Sequence, residues 1–518
     1  MSPHYKAFLI VMVVSALAFW LARPAFSKFM SDETFVRRRN LWLSLTSCAF
    51  LIPSFWLYMG VAAVLIWRAG RRDPNPAALY FFLLLVVPPF QQAIPGFGLV
   101  TYLFQLDHFR LLTLVLILPA ALRIRRAVKR AVNPSVRGAW LAPDVFFLMY
   151  ALLPIILSAR YVTLTDSMRS AFLLGVDLLL PYYVLSRSCT SKQMIIDAIA
   201  AFALSAVILA PLAAFESAKG WLMYSNIADN WQLSSNFIGY LARGDTLRAQ
   251  VTSGQSIILG NFYAVALGLW LYLQSLIVGW RRWFGTAAVL VGLVAALSRG
   301  PWVGAVVCGF AFFAVGPNAP IRVLKLVGVS AVVMAVVLAS PMGATIVDHL
   351  PFIGTVDAGN VTYRQVLIDR MWLLIQQNPL FGSPYFLSYM EDLRTGEGII
   401  DLLNVYLAIG MAYGLVTLAA LVLFFATVGF MCLKVTRMSA LRDPDTSRLG
   451  AALFASLSGA MVILYTVSNY LSVPYIYIGL SALMVAYSRI PTFVPEPEVQ
   501  AGLPVARVDR RWSTSIRP

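Results

Sequence analysis

Charged residues are scarce in this chain of 518 residues, of which only 12% are Asp, Glu, Lys or Arg. A soluble globular domain usually has about 25% charged residues and about 45–50% apolar residues. Here 60% of the residues are hydrophobic, which excludes a set of ordinary soluble domains of this length. The shortage of charge indicates a protein whose surface faces lipid.

Cysteine and histidine are also rare, with four and three residues respectively. The cysteines are scattered through apolar segments and lack the short spacings of metal ligands or of a disulfide framework. Small core residues are therefore the simpler interpretation, and the sequence indicates neither a metal nor a cofactor. The four cysteines are Cys48, Cys189, Cys308 and Cys432.

Long apolar runs recur from Tyr5 to Tyr487. A helix needs about 20 apolar residues to cross about 30 Å of hydrocarbon, because it rises about 1.5 Å per residue. The runs therefore predict an all-α polytopic membrane protein with about 12–14 transmembrane helices. They form a single domain over residues 1–489, and the proline- and arginine-rich composition predicts a disordered cytoplasmic tail over 490–518.

The net charge of +17 would suit a nucleic-acid partner, but most Lys and Arg residues lie in short loops beside apolar runs. This is the pattern of cytoplasmic loops under the positive-inside rule, so we predict no nucleic-acid partner. A count of about 14 crossings puts the N-terminus and the tail inside. The basic loop 23–40 falls outside in this count. The long apolar segment next to it, 41–67, contains Pro53 and is interpreted as either a bent span or a re-entrant pair.

Two extracytoplasmic loops are long, over about 216–255 and 341–402, and long loops between short ones tend to carry function. The first loop is rich in aromatic residues that could stack on sugars, although anchoring at the membrane interface explains them more simply. These aromatic residues are Trp221, Tyr224, Trp231 and Tyr240.

Three arginines, Arg248, Arg299 and Arg364, are predicted to lie on that same side of the membrane. Arg299 lies in a sharp break between apolar runs, formed by Ser298, Gly300 and Pro301. A guanidinium group donates hydrogen bonds in a planar fork that matches phosphate oxygens. The cluster therefore suits a phosphate or diphosphate, whereas each arginine alone could instead reach lipid headgroups or pair with a carboxylate.

A general base for a sugar hydroxyl would come from the acidic residues predicted on this side, among which the sequence does not discriminate. His349 is the only histidine in the second long loop. The acidic candidates are Glu216, Asp229, Asp245, Asp348, Asp357, Asp369, Glu391, Asp392, Glu397 and Asp401.

The segments around the three arginines resemble the O-antigen ligase and polymerase superfamily of bacterial envelope glycosyltransferases, over roughly residues 190–490. The Ser298-Arg299-Gly300 turn before an apolar helix resembles the family's signature. The family pattern also runs from an arginine to Pro-Leu-x-Gly, and then to a helix that opens with polar residues. The matching positions here are Arg248-Ala249, Gly260-Asn261, Arg364, Pro379-Leu380, Gly382, Asp401, Asn404, Tyr406, Leu407, Gly410 and Gly414.

The resemblance implies a GT-C-like helical fold in the bacterial inner membrane and an extracytoplasmic active site. It implies inverting transfer of an oligosaccharide from undecaprenyl diphosphate without a metal, with chain-length regulators and export proteins as further candidate partners. Arg248, Arg364 and Asp401 would be catalytic. The candidate substrate-binding residues are Arg299, His349, Asn404 and Tyr406.

One departure from the family pattern separates two activities. Ligases that act on lipid A–core commonly carry a His-Asn pair before the Tyr-Leu, whereas Leu403 precedes Asn404 here. This favours a polymerase of exopolysaccharide or O-antigen-type chains over a ligase that moves glycan to lipid A–core or to a protein. A transporter or flippase without chemistry is a further alternative, because the predicted spans are numerous.

Overall fold

The computed structural model describes residues 2–98, 101–130, 140–159, 161–233, 239, 241–243, 246–315, 319–339, 358–394 and 400–490. Within these residues the chain is almost entirely helical. The first four helices are α1 (Pro3–Phe26), α2 (Asp32–Leu51), α3 (Phe55–Arg72) and α4 (Pro76–Leu83). An antiparallel hairpin follows, formed by β1 (Gln92–Pro95) and β2 (Tyr102–Leu106).

Two of the next helical stretches are each interrupted by one π-helix. The first consists of α5 (His108–Leu112), the π-helix Thr113–Ile117 and α6 (Leu118–Arg130). After α7 (Ala142–Ser158), the second consists of α8 (Leu164–Leu174), the π-helix Gly175–Leu179 and α9 (Leu180–Ser188). Next come α10 (Lys192–Lys219), α11 (Ser225–Asn230) and the two-residue strands β3 (Ala242–Arg243) and β4 (Thr246–Leu247).

The remaining elements belong to the C-terminal half of the chain. They begin with α12 (Ser256–Leu276), α13 (Trp280–Ala295), α14 (Arg299–Ala314) and α15 (Ala319–Ala339). They continue with α16 (Ala358–Gln377), the 3-10 helix Phe386–Leu393, α17 (Val405–Ser439), α18 (Pro444–Ile463) and α19 (Val473–Ser488).

Six helical stretches in the described parts of the chain are long and apolar enough to cross a membrane. They are Pro3–Phe26, Leu164–Ser188, Lys192–Lys219, Ser256–Leu276, Val405–Ser439 and Pro444–Ile463. Together with the near absence of strands, they confirm the predicted all-α polytopic membrane fold. The number of crossings, about 12–14, stays a prediction.

Small residues let the helices around α12 pack closely. A Cβ atom at Gly459 of α18 would lie 2.6 Å from the carbonyl oxygen of Gly304 in α14, and one at Gly268 of α12 would lie 3.0 Å from the Cα atom of Ser456. Small interfacial residues are the usual way in which membrane helices bring their backbones together. This contact fixes the position of the start of α14, where one of the candidate arginines lies.

The chain connections lie on two faces of the bundle. On one face, which we call the basic face, Lys28 donates to the carbonyl of Leu276 at 3.2 Å, and Lys192 pairs with Asp443 at 3.2 Å. On the other, the loop face, His4 contacts the carbonyl of Phe50 at 2.6 Å. The basic face also carries the charged ends of helices, at Arg68, Arg71, Arg72, Arg281, Arg282 and Arg437.

The turn between α2 and α3 corrects the predicted topology of the first segments. The apolar stretch 41–67, which the count of crossings took as one segment, belongs to two helices, α2 and α3, which separate at 52–54. Pro53 lies in this turn and cannot continue a helix in its interior. Because the chain reverses direction at this turn, the N-terminus lies on the loop face and the basic loop 23–40 lies on the basic face. The loop therefore agrees with the charge pattern of the other connections.

Arg38 anchors this part of the fold. Its side chain is 1% exposed and lies between two carboxylates, with Nε 2.8 Å from Asp73 and Nη1 2.6 Å from Asp197. Asn75 donates to Asp197 at 3.0 Å and completes the network. Residues from α2, α10 and the connection after α3 are thus held together by one buried cation.

Replacing Arg38 by Ala is expected to destabilise the protein by about 3–5 kcal/mol, because it leaves two buried carboxylates without their cation. Arg39→Ala is the matched control, since Arg39 is only half-buried and its described side-chain hydrogen bonds go to the neighbouring Asn40. Thermal unfolding of both variants in detergent measures the difference. Equal melting temperatures for the two variants would contradict the anchoring role.

Two aromatic residues of the first long loop belong to the protein core. Trp231 lies 4.9 Å from Tyr58 between ring centroids and donates to the carbonyl of Ile52 at 2.7 Å. Tyr224 is buried against Phe50. For these two residues, the predictions of sugar stacking and of interfacial anchoring were both wrong, because the loop folds onto the first helices. Of the other two aromatic residues, Trp221 is half-buried and Tyr240 lies outside the described residues.

Candidate functional site

Glu216 fixes the loop that carries Arg248. Its carboxylate lies at the end of α10, is 1% exposed, and accepts hydrogen bonds from the backbone amides of Met223, Gln250 and Val251 at 3.1, 3.1 and 2.8 Å. Three donors on two oxygens satisfy the carboxylate. Glu216, one of the acidic candidates for the general base, therefore has a structural role.

Two arginines of this loop bind the same turn between α13 and α14. Arg248 donates from Nη2 to the hydroxyl of Ser298 at 2.7 Å, and Arg243 donates from Nη1 to the carbonyl of Leu297 at 2.7 Å. The amide of Ala249 donates to the carbonyl of Ala295 at 3.0 Å and holds the loop against the end of α13. Arg243 was not among the predicted residues.

The turn itself is the predicted break around Arg299. Leu297 has a φ of 44°, a left-handed conformation that costs a branched residue about 1–2 kcal/mol. Ser298 is the N-cap residue, and Arg299 is the first residue of α14. A Cβ atom at Gly260 of α12 would lie 2.7 Å from the ring of Pro301, so only glycine allows this close approach.

The fourth arginine, Arg364, comes from α16. It is half-buried, and burial lowers its pKa; the neighbouring guanidinium groups of Arg243 and Arg299 lower the pKa further. The nearby carboxylate of Asp401 raises the pKa of Arg364, because it stabilises the charged guanidinium group. Arg364 thus shares one electrostatic environment with Arg243, Arg299 and Asp401.

A close backbone contact holds α16 against α17. Leu415 donates its amide to the carbonyl of Pro379 at 2.7 Å, and Ser383 donates to the carbonyl of Met411 at 2.9 Å. Gly382 has a φ of 66°, and a Cβ atom there would lie 2.6 Å from the carbonyl oxygen of Met411. Gly414 has a φ of 78° and breaks α17 at this point. The Pro-Leu-x-Gly segment and Gly414 therefore meet backbone to backbone.

Asp401 lies just before α17 and accepts a hydrogen bond from the hydroxyl of Ser468. The amide of Leu403 also donates to this hydroxyl, at 3.1 Å, and Leu403 has a φ of 34°. The segment 401–404 is therefore held by the chain that connects α18 and α19. This arrangement positions the carboxylate of Asp401, which acts on Arg364.

Asn404 and Tyr406 make contacts within the protein. Asn404 is the N-cap residue of α17, because its Oδ1 accepts the amide of Leu407 at 3.1 Å. Its Nδ2 is buried and has no hydrogen-bond acceptor within the described residues. Tyr406 donates its hydroxyl to the carbonyl of Met461 at 2.8 Å. His349 lies outside the described residues.

The structure thus brings together four guanidinium groups and one carboxylate, which we call the arginine cluster: Arg243, Arg248, Arg299, Arg364 and Asp401. Like charges in a partly buried site repel one another, and an anion relieves that repulsion. The start of α14 adds amide groups and the positive end of a helix dipole. The arrangement is suited to binding an anion with several oxygens, such as a diphosphate.

Arg243 could have been found from the sequence by its spacing. It lies five residues before Arg248 in a loop with little other positive charge, and the β3–β4 hairpin brings the two side chains to one turn. Sequence analysis did not predict this hairpin, because it has only two residues in each strand. The other members of the cluster were predicted as site residues.

Replacing Gly414 by Ala is expected to separate α16 from α17, because the new Cβ atom would overlap the carbonyl of Leu380 and the backbone has a positive φ. We expect a loss of at least about 2 kcal/mol in the free energy of unfolding. Gly429→Ala in the same helix is the control, since its Cβ atom would meet Phe454 at an ordinary 3.4 Å. Thermal unfolding in detergent tests this, and equal stabilities would contradict it.

The arginine cluster partly coincides with a known family segment. Residues 284–422 match a family model described as O-antigen ligase, which covers about a quarter of the chain. The match includes Arg299, Arg364 and Asp401, whereas Arg243 and Arg248 precede it. It falls within the range of about 190–490 over which the resemblance was predicted, and it supports that resemblance. No curated protein matches the chain.

Proposed function

We propose that this protein is a polysaccharide polymerase of the bacterial inner membrane, because residues 284–422 match a family model described as O-antigen ligase. It joins oligosaccharide repeat units carried on undecaprenyl diphosphate into an exopolysaccharide or O-antigen-type chain. The observation that carries this proposal is the arginine cluster at the loop face.

The charge distribution supports an extracytoplasmic reaction. The basic face carries arginine and lysine residues at the ends of many short connections, which is typical of the cytoplasmic side. The arginine cluster lies on the loop face, at the opposite end of the helices. In this proposal the lipid diphosphate reaches the cluster from the outer leaflet, while the sugars extend into the aqueous phase.

The proposed reaction is an inverting glycosyl transfer. A hydroxyl oxygen of the acceptor sugar forms a bond to the anomeric carbon of the donor, from the side opposite the diphosphate. The bond between that carbon and the diphosphate oxygen breaks, and its electron pair leaves with undecaprenyl diphosphate. In this scheme Asp401 accepts the hydroxyl proton, since its carboxylate belongs to the arginine cluster and is held in place by Ser468.

The arginines stabilise the leaving group. Arg364 and Arg248 bind the diphosphate oxygens, on which negative charge develops as the glycosidic bond breaks. Arg243 and Arg299 complete the positive surface around them. No metal is needed in this scheme, because the guanidinium groups supply the positive charge.

Polymerisation is favoured over ligation by the residue at position 403. The resemblance implies that lipid A–core ligases use a histidine before the asparagine, whereas this chain has Leu403. Leucine cannot transfer a proton, and the amide of Leu403 donates to Ser468. The ligase alternative, transfer of finished glycan to lipid A–core or protein, is favoured by the description of the matching family.

A deletion strain distinguishes the candidate activities. If the protein is a polymerase, we expect lipid-linked single repeat units to accumulate and long polymer to disappear, because chain extension stops. Mass spectrometry of extracted lipids and gel analysis of polysaccharide measure the two pools.

The other candidates give different results in the same strain. A ligase leaves long polymer that is not attached to its acceptor. A transporter or flippase leaves repeat units on the cytoplasmic side of the membrane. Long polymer in the deletion strain would therefore refute the polymerase proposal.

The single substitutions Arg364→Ala and Arg248→Ala should each lower polymer formation about 10²- to 10³-fold, because the loss of a hydrogen-bond donor to the transition state costs about 2.7–4 kcal/mol. Arg243→Ala should also lower it, by a smaller factor. Lys219→Ala is the control, because Lys219 is an exposed cation of the loop face. Polymer yield at matched membrane levels of protein is the measurement, and wild-type yield in Arg364→Ala and Arg248→Ala would contradict the diphosphate role.

A further inference from the structure

A cavity of about 470 Å³ with a mixed polar and apolar lining lies outside the matched family segment except at Tyr413. It is partly open and is lined by the start of α5, the end of α7, the α8 helix with its π-helical continuation, and the chain before α19. Small-molecule sites commonly have volumes of about 300–1,000 Å³. The size of the cavity is therefore that of a binding site.

The charged groups of the cavity form one network. Arg110 donates to Asp177 from Nε at 3.1 Å and from Nη2 at 2.9 Å, and it lies 3.8 Å from Asp107. Its Nη1 also donates to the carbonyl of Gln105 at 2.6 Å. One guanidinium group thus faces two carboxylates. The cavity has an excess of negative charge, which disfavours a phosphate and contrasts with the arginine cluster.

The rest of the lining has the chemistry of a sugar site. Carboxylate oxygens, side-chain amides and tyrosine hydroxyls can exchange hydrogen bonds with sugar hydroxyls. The ring of Tyr475 lies 4.8 Å from that of Phe109 between centroids, which gives the cavity an aromatic wall. Aromatic rings present an apolar surface to the C–H face of a sugar. The other polar lining residues are Gln91, Ser158, Ser170, Tyr413, Asn469 and Tyr470.

An irregular helix supports a functional role for this cavity. Asp177 lies within the π-helix Gly175–Leu179, which interrupts the helical stretch from α8 to α9. A second π-helix, Thr113–Ile117, directly follows α5, the helix that carries Arg110. Single π-helical turns are rare and occur frequently at functional sites. Both helices that carry the ion network therefore have this irregularity near the cavity.

The chain before α19 links the cavity to the arginine cluster. Asn469, Tyr470 and Leu471 line the cavity, and the preceding Ser468 donates to Asp401. On the other side, a Cβ atom at Gly254 would lie 3.3 Å from Leu471. The loop that carries Arg248 therefore packs against the cavity wall.

We propose that this cavity is a saccharide-binding subsite, which holds the uncharged sugars of the acceptor repeat unit while the arginine cluster holds the donor diphosphate. This inference rests on the proposed function. The two sites have opposite charge, and Asp401 of the arginine cluster accepts a hydrogen bond from Ser468, the residue before Asn469 of the cavity. An acceptor sugar bound in the cavity would present a hydroxyl towards the diphosphate-bearing carbon.

Binding to the purified full-length protein tests the proposal with two probes. The first is the oligosaccharide released by mild acid from the lipid-linked units of the deletion strain, and the second is inorganic pyrophosphate. Ser170→Trp fills the cavity, and Asp177→Asn removes one acceptor; we expect each to weaken oligosaccharide binding by roughly tenfold or more. Ala171→Trp is the matched control, since Ala171 is exposed and does not line the cavity.

Pyrophosphate binding is expected to respond to the other set of substitutions. It should be lost in Arg364→Ala and kept in Ser170→Trp. Ligand-observed NMR reports both affinities without turnover, and thermal unfolding verifies that each variant is folded. Equal oligosaccharide affinity in wild type and Ser170→Trp, or no oligosaccharide binding by the wild type, overturns the subsite.

Failure of the polymerase proposal would appear separately, as long polymer in the deletion strain. The oligosaccharide would then be released from the lipid-linked pool of the wild-type strain, and the same binding comparison would decide the subsite.

Discussion

Repulsion among four guanidinium groups is the interaction on which the candidate site depends. Arg243, Arg248, Arg299 and Arg364 come from three separate segments, and among the described residues the carboxylate of Asp401 opposes the positive charges around Arg364. The start of α14 adds further positive potential, because the amide groups of its first turn point to the same region. Such a site is stabilised when an anion enters it. Binding of an anion therefore offsets the electrostatic repulsion that opposes assembly of the arginine cluster.

Rigid connections keep the arginines in place despite this repulsion. The carboxylate of Glu216 binds three backbone amides and fixes the first loop, while Arg243 and Arg248 bind the turn at Leu297–Ser298. On the other side, α16 is held to α17 by backbone hydrogen bonds at Gly382 and Gly414. The buried Arg38 network holds the basic face in a similar way. Both ends of the bundle therefore use buried polar groups to join helices that lipid alone would not hold together.

Two surfaces of the loop face carry opposite charge, which supports the proposal that they bind different parts of the substrate. The arginine cluster has an excess of positive charge, whereas the cavity around Asp107, Arg110 and Asp177 has an excess of negative charge. A lipid-linked oligosaccharide has the same division, with a charged diphosphate at one end and neutral sugars beyond it. The chain between Ser468 and Leu471 contacts both surfaces and would couple the two parts of the substrate.

The membrane fold, the family resemblance and four of the five members of the arginine cluster could be predicted from the sequence, because apolar run length, loop charge and local motifs are encoded in contiguous residues. The division of 41–67 into two helices, the inclusion of Arg243 and the structural role of Glu216 came from the three-dimensional structure. It also revealed the cavity, whose charged residues Asp107, Arg110 and Asp177 belong to no common motif. The physical reason is that these features depend on contacts between distant segments. A side chain's environment is set by what packs against it, and that cannot be read from its sequence neighbours.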